Sequence, residues 1–82
     1  MKIEKSLAHR VIDGQAFVMD PAHKRLHSLN PAGTSIWKGL AAGRSPDELA
    51  RGLAEEFDVE PRRARADVDV FVTELRRLHL VD

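Results

Sequence analysis

His9, His23, His27 and His79 are the side chains best suited to hold a metal or move a proton in this 82-residue chain, and cysteine is absent. Their spacing supports neither task. A zinc site needs three or four converging ligands. His23 and His27 are four apart, a separation that aligns two rings on a helix, but the residues around them read as a turn followed by a strand. No Gly-x-Gly-x-x-Gly, P-loop, His-Glu-x-x-His or Gly-x-Ser-x-Gly pattern occurs. Ser28, Ser35 and Ser45 fit strand, helix and helix-cap positions better than a nucleophile's. The pattern therefore points away from an enzyme, and no metal or cofactor is implied.

The remaining chemistry is charge. Arg62, Arg63 and Arg65 open the last helical segment and could approach a nucleic-acid backbone. Asp67 and Asp69 follow within a turn, and Glu55, Glu56, Asp58 and Glu60 precede them. Such a rim repels a polyanion, and the pairs Arg63–Asp67 and Arg65–Asp69 have the i,i+4 spacing of ordinary surface ion pairs. Thirteen basic and thirteen acidic residues cancel to a formal charge of zero, so net charge attracts neither nucleic acid nor anionic lipid. A DNA-binding module is the runner-up reading, to be recognised by steep salt dependence of duplex binding.

The elements that position these groups follow from turn and cap chemistry. Residues 1–8 alternate in charge, carry few apolar groups and read as a segment free to fray; residues 9–82 read as one domain. The N-terminus lacks an apolar signal region and no run reaches transmembrane length, which fits a cytoplasmic protein with no membrane partner. Val11-Ile12 and Ala16–Met19 are β-prone runs around Asp13-Gly14, a dipeptide suited to a type I′ hairpin turn. Asp20–Lys24 is a second turn with Pro21 fixing a dihedral, and Arg25–Leu29 a third strand.

Asn30 and Pro31 supply an N-cap and first helical residue, with Ile36, Trp37, Leu40 and Ala41 as the apolar stripe and Gly43 as the stop. Ser45-Pro46-Asp47-Glu48 is a capping box, and Leu49, Leu53 and Phe57 mark the buried face of a second helix. A third runs from about Pro61 to about Leu78. Its stripe is Ala64, Val68, Phe71, Val72, Leu75 and Leu78. Val70 sits nearly opposite that stripe, facing something other than the main core, and Leu80-Val81 closes the chain as an apolar plug. The fold class is α+β and winged-helix-like: a three-stranded antiparallel sheet followed by three α-helices.

A strand that ends a sheet offers free N–H and C=O groups to an added strand from another chain. If Arg25–Leu29 is such an edge, Val70 and Phe71 of the third helix could form an apolar floor beside it, with Arg63, Asp67 and Glu74 as a charged rim. Lys24 and Arg25 equally suit an edge guarded against pairing. A third possibility is an interaction domain that meets a folded partner through its helices.

Leu29-Asn30, Gly33, Ile36-Trp37, Gly43, Asp47-Glu48-Leu49, Asp67-Val68, Phe71, Leu75 and Leu80-Val81, in this order and spacing, resemble the PqqD-like proteins, also called RiPP recognition elements. The similarity spans about residues 11–82. It implies a non-catalytic peptide chaperone that binds the leader of a ribosomally made precursor peptide and delivers it to a modifying enzyme, such as a radical SAM protein or a leader peptidase. By position, the implied leader site is Arg25, Leu26, His27, Ser28 and Leu29 on the strand, with Asp67, Val70, Phe71 and Glu74 on the helix. The initiator Met and the full pattern suggest a free-standing form. His27 replaces a residue often aromatic in relatives, and His79 stands where a Gly often ends the third helix. The branch could be pyrroloquinoline quinone assembly, lasso peptide maturation or another pathway.

Overall fold

The computed structural model describes residues 1–82, with β1 (Ala8–Ile12), β2 (Gln15–Asp20) and β3 (Arg25–Ser28) preceding α1 (Pro31–Ala41), α2 (Pro46–Phe57) and α3 (Pro61–Arg77). The strands form one antiparallel sheet in the order β1-β2-β3, making the domain α+β as expected. Asp13 and Gly14 both have positive φ (51° and 77°), the requirement of the two-residue turn that closes Ile12 onto Gln15. In β2, Ala16, Val18 and Asp20 are buried on one face, whereas Phe17 and Met19 point away from the helices. This alternation sets the register of both neighbouring strands.

Each helix begins where its cap chemistry dictates. Asn30 accepts from the Gly33 N–H at 2.7 Å, and Ser45 and Glu48 form the reciprocal capping box of α2. The helices bury Ile36, Trp37 and Leu40 of α1, Leu49, Ala50 and Leu53 of α2, and Ala64, Val68, Val72 and Leu75 of α3. Complete burial of each larger aliphatic side chain contributes roughly 1.5–3 kcal/mol. Ala41, expected in the α1 stripe, is exposed; the closer packing falls to Gly39, whose missing side chain lets Leu49 of α2 approach α1. Phe57, Phe71 and Leu78 are half-buried at the rim of the core.

Two helices end in the same motif with different residues. After α1, Arg44 donates to the Gly39 carbonyl and Gly43 to Leu40, with Gly43 at φ 80°. After α3, Leu80 donates to Leu75 and His79 to Arg76, with His79 at φ 61°. Both are Schellman closures, and buried Leu75 and Leu80 supply the apolar contact of the second. Histidine thus holds a left-handed conformation that glycine adopts without strain.

Residues 1–8 do not simply fray. Ile3 bridges to Val81, Glu4 donates to the Leu80 carbonyl and Asp82 to that of Lys2, each at 3.0 Å. Ile3 and Leu7 pack against the core. Two apolar residues among the charges, together with main-chain pairing to the end of the chain, tie this segment down.

Candidate functional site

The N–H of Leu29 donates to the Ala16 carbonyl at 2.9 Å, which fixes the parity of β3. Residues bonding to one neighbour alternate along an antiparallel strand. With Leu29 turned to β2, His27 and Arg25 also turn inward, and Leu26 and Ser28 direct their N–H and C=O groups away from the sheet. No neighbouring strand covers that side. Buried Thr34 sets the end of this edge: its hydroxyl donates to the Leu29 carbonyl at 3.3 Å and accepts from the Ala16 N–H at 3.0 Å. The first turn of α1 is thereby pinned to β2 and to the residue following β3.

α3 runs antiparallel to this edge, tied to its two ends. Past the start of β3, the rings of His23 and His79 stack with centroids 6.1 Å apart and planes 16° from parallel. Beyond its end, Gly33 lies so close to Phe71 that a Cβ there would stand 3.0 Å from Phe71 Cε1. Between these ties β3 and α3 are not closely packed against each other, and the strip of surface between them is the candidate groove. Asp67, Val70, Phe71, Glu74 and Leu78 fall within an arc of about 100° on the helix. Val70 is 71% exposed, and Phe71 and Leu78 are half-buried. A solvated Val on this face is an apolar surface without a partner inside the domain.

The polar groups around the groove are largely paired. Arg77 bonds Glu74 through Nε at 3.0 Å, and this hydrogen bond and charge hold the Glu74 carboxyl below its ordinary range and raise Arg77. At the turn into β3, Asp20 is 3% exposed and contacts His23 Nδ1 at 2.7 Å. Burial by itself raises the Asp20 carboxyl, but the side-chain and backbone donors of His23 outweigh it and leave the group lowered. His23 is therefore occupied by Asp20 and His79, and His27 lies within β3. No three His, Asp or Glu side chains converge as a metal site would require.

The residues proposed from sequence divide into three sets. Leu26 and Ser28 present free main-chain groups, while Arg25 and His27 present side chains on the face shared with Asp20 and Val18. Val70, Phe71 and Glu74 stand on the facing helix. Leu29 differs from expectation: it lies beyond β3, is 8% exposed, and turns its N–H inward. Arg63 lies eight residues, about 12 Å of helix rise, from Phe71, so it stands beyond the end of β3 and bonds Asp67 at 3.2 Å. Arg65 likewise contacts Asp69 at 3.1 Å and also Asp47. The Thr34 contacts and the stacking of His23 on His79 were not visible in the sequence, because they join residues distant in the chain or across the turn into α1.

A cleft of about 540 Å³ lies elsewhere, between α1, α2 and the tip of the first hairpin, with Lys38, Arg44, Glu48 and Glu56 among its lining. A groove open along its length encloses little volume, and strand addition requires an accessible main-chain edge rather than a cavity. The architecture defines a class: a small α+β domain with an unpaired strand edge flanked by a helix. The chain belongs to the PqqD family, described as Coenzyme PQQ synthesis protein D, whose model matches residues 15–81.

Two solved structures share the fold. TbiB1 in complex with the TbiA(beta) leader peptide is 23% identical, with a TM-score of 0.94 over 100% of this chain and 95% of that one. A lasso peptide synthetase B1 complexed with the leader peptide is 25% identical, with a TM-score of 0.84 over 93% and 89% of the two chains. Curated protein sequences offer no match. No helix is long and apolar enough to cross a membrane.

Proposed function

We propose that this chain captures the leader of a ribosomally made precursor peptide as an extra strand on β3 and presents the precursor to a modifying enzyme. The observation that carries this reading is the outward pair Leu26 and Ser28, with unpaired N–H and C=O groups facing a groove walled by Val70, Phe71 and Glu74. Family membership supports it, as does the likeness to a lasso peptide synthetase B1 complexed with its leader peptide. The chain's part is recognition rather than catalysis, carried out in the cytoplasm. Its partner is the enzyme that alters or cleaves the peptide, such as a radical SAM protein or a leader peptidase.

Magnitudes assign roles to the two walls. Two residues provide two N–H and two C=O groups, and four net hydrogen bonds contribute about 2–6 kcal/mol in total. A micromolar complex needs about 8 kcal/mol after association costs. Main-chain pairing thus supplies direction and part of the affinity, and α3 supplies the remainder with the selectivity. DNA binding loses its main support because Arg63 and Arg65 are engaged by carboxylates.

An amide NMR titration with the leader of a precursor encoded beside this chain tests the proposal. Shifts concentrated at Arg25–Leu29 and Asp67–Glu74 are expected. Saturable shifts at the α1–α2 cleft with none at β3 would refute it.

A further inference from the structure

Pairing among the charges along the groove leaves one group over. Asp67 is held by Arg63, and Glu74 by Arg77 through both carboxylate oxygens. Asp20 lies directly opposite Arg25 in the register of β2 and β3, where a cross-strand ion pair would be expected. It is taken instead by His23, whose ring nitrogen and backbone N–H both contact its carboxylate. Arg25 therefore has no ion-pair partner in the chain. Its side chain is exposed, yet it projects on the face of β3 shared with Asp20 and Val18, toward the helices rather than the outer side of the sheet.

Strand addition turns this surplus charge into a selection rule. Leu26 and Ser28 offer their main-chain groups to the added strand, so the residues opposite Arg25 and His27 form the non-hydrogen-bonded pairs. Their Cα atoms stand about 4.5 Å from those of β3, with side chains on the groove face. Whichever way the added strand runs, these two positions are two residues apart. The position opposite His27 lies toward Val70 and Phe71, and the position opposite Arg25 toward Leu78 and the His23–His79 stack. Asp20, Asp67 and Glu74 are already engaged, so none follows the guanidinium as the strand covers it. An apolar or basic residue opposite Arg25 leaves that charge less hydrated and uncompensated. An Asp or Glu meets its planar fork with two parallel hydrogen bonds.

We infer that the Arg25 side chain is a specificity determinant of the leader site and selects a leader carrying Asp or Glu opposite it, two residues from the side chain that faces Val70 and Phe71; this rests on the leader-binding reading above. A cation on an edge strand has a second use, which is to discourage pairing with another copy of the chain. The two roles differ in what they act on. A guard changes self-association, whereas a selector changes affinity at one position of the ligand.

The test is a charge-swap cycle between the full chain and synthetic versions of the leader encoded beside it, read by fluorescence anisotropy. Replacing each leader Asp and Glu in turn by its amide should weaken binding about fivefold or more at one position and less than about twofold at the others. Arg25→Glu should weaken the native leader about tenfold, and a leader with Lys at that one position should bind Arg25→Glu about fivefold better than it binds the wild type. Arg25→Lys keeps the charge without the fork and should cost about threefold. Lys24→Glu, beside it in the turn, should show no coupling to that leader position. A leader that binds with no acidic residue, or Arg25→Glu losing the same factor for every leader version, would overturn the inference and leave leader capture standing. Unchanged leader affinity with concentration-dependent dimerisation of Arg25→Val would assign Arg25 to guarding the edge and also overturn it. A wild-type chain that binds no version of the leader would defeat the leader reading itself, and this inference with it.

Discussion

β1 and β3 flank the same central strand, and each turns alternate main-chain groups toward solvent. On β1 these belong to His9 and Val11, because the Asp13-Gly14 turn closes on a hydrogen-bonded Ile12–Gln15 pair and the bonding residues alternate from there. The surroundings differ. β1 packs its His9 ring edge-on against Trp37 of α1, with centroids 5.5 Å apart, and no helix runs along its outer side. β3 faces α3 across a groove tied at both ends by His23–His79 and Gly33–Phe71. An open edge alone accepts any extended chain. A helix beside it makes the edge selective, since side chains of an added strand must then suit a fixed wall.

Proline can break this comparison most sharply. Ser28→Pro removes an outward N–H and places a ring where the added strand would lie. Leader affinity should fall about 30-fold, roughly 2 kcal/mol, with the helical circular-dichroism signal preserved. Val11→Pro makes the matching change on β1 and should alter leader affinity less than about twofold. Equal losses at both strands, measured by fluorescence anisotropy of a labelled leader, would show that the edges are not distinguished by their surroundings.

Val70→Asp sharpens the contrast from the helix side. With Val70 71% exposed, the change should shift Tm by less than about 3 °C, because exposed helix positions carry little of the core. Leader binding should weaken about tenfold as apolar contact is replaced by a carboxylate needing desolvation. A large drop in Tm with unchanged affinity would place Val70 in the fold's stability instead of the groove.

What could be read from the sequence was local. Asp13-Gly14, Asn30-Pro31 and Ser45–Glu48 carry their own turn and cap chemistry, so the hairpin and two helix starts were legible without tertiary knowledge. The position of Val70 also followed from helical period, because 100° per residue separates it from Val68 and Val72. Contacts between distant segments were not legible. The pairing of Ile3 with Val81 depends on the whole fold bringing the chain ends together. Likewise, Leu29 reads as the last residue of a strand, yet the Thr34 hydroxyl holds its carbonyl and turns the chain into α1. The groove face was visible as a helical stripe, but its overlap with β3 was not: only the two ties to α3 show that Phe71 and Glu74 lie alongside and Arg63 lies beyond.

The smallest expected effect separates stability from recognition at the start of the selective edge. His79 occupies a left-handed position that disfavours a Cβ, and its ring stacks on His23, which Asp20 holds at the turn into β3. His79→Gly relieves the backbone strain, offset in part by the greater freedom of glycine in the unfolded chain. A net gain of about 0.5 kcal/mol, or roughly 2–4 °C in Tm, is expected. The same change deletes the stack, loosening the turn relative to α3, and should weaken leader binding about twofold. A variant that is both more stable and slightly poorer at binding would show that His79 is retained for the groove at the expense of the helix end. Equal affinity with the higher Tm would leave Gly33–Phe71 as the contact that sets the spacing between β3 and α3.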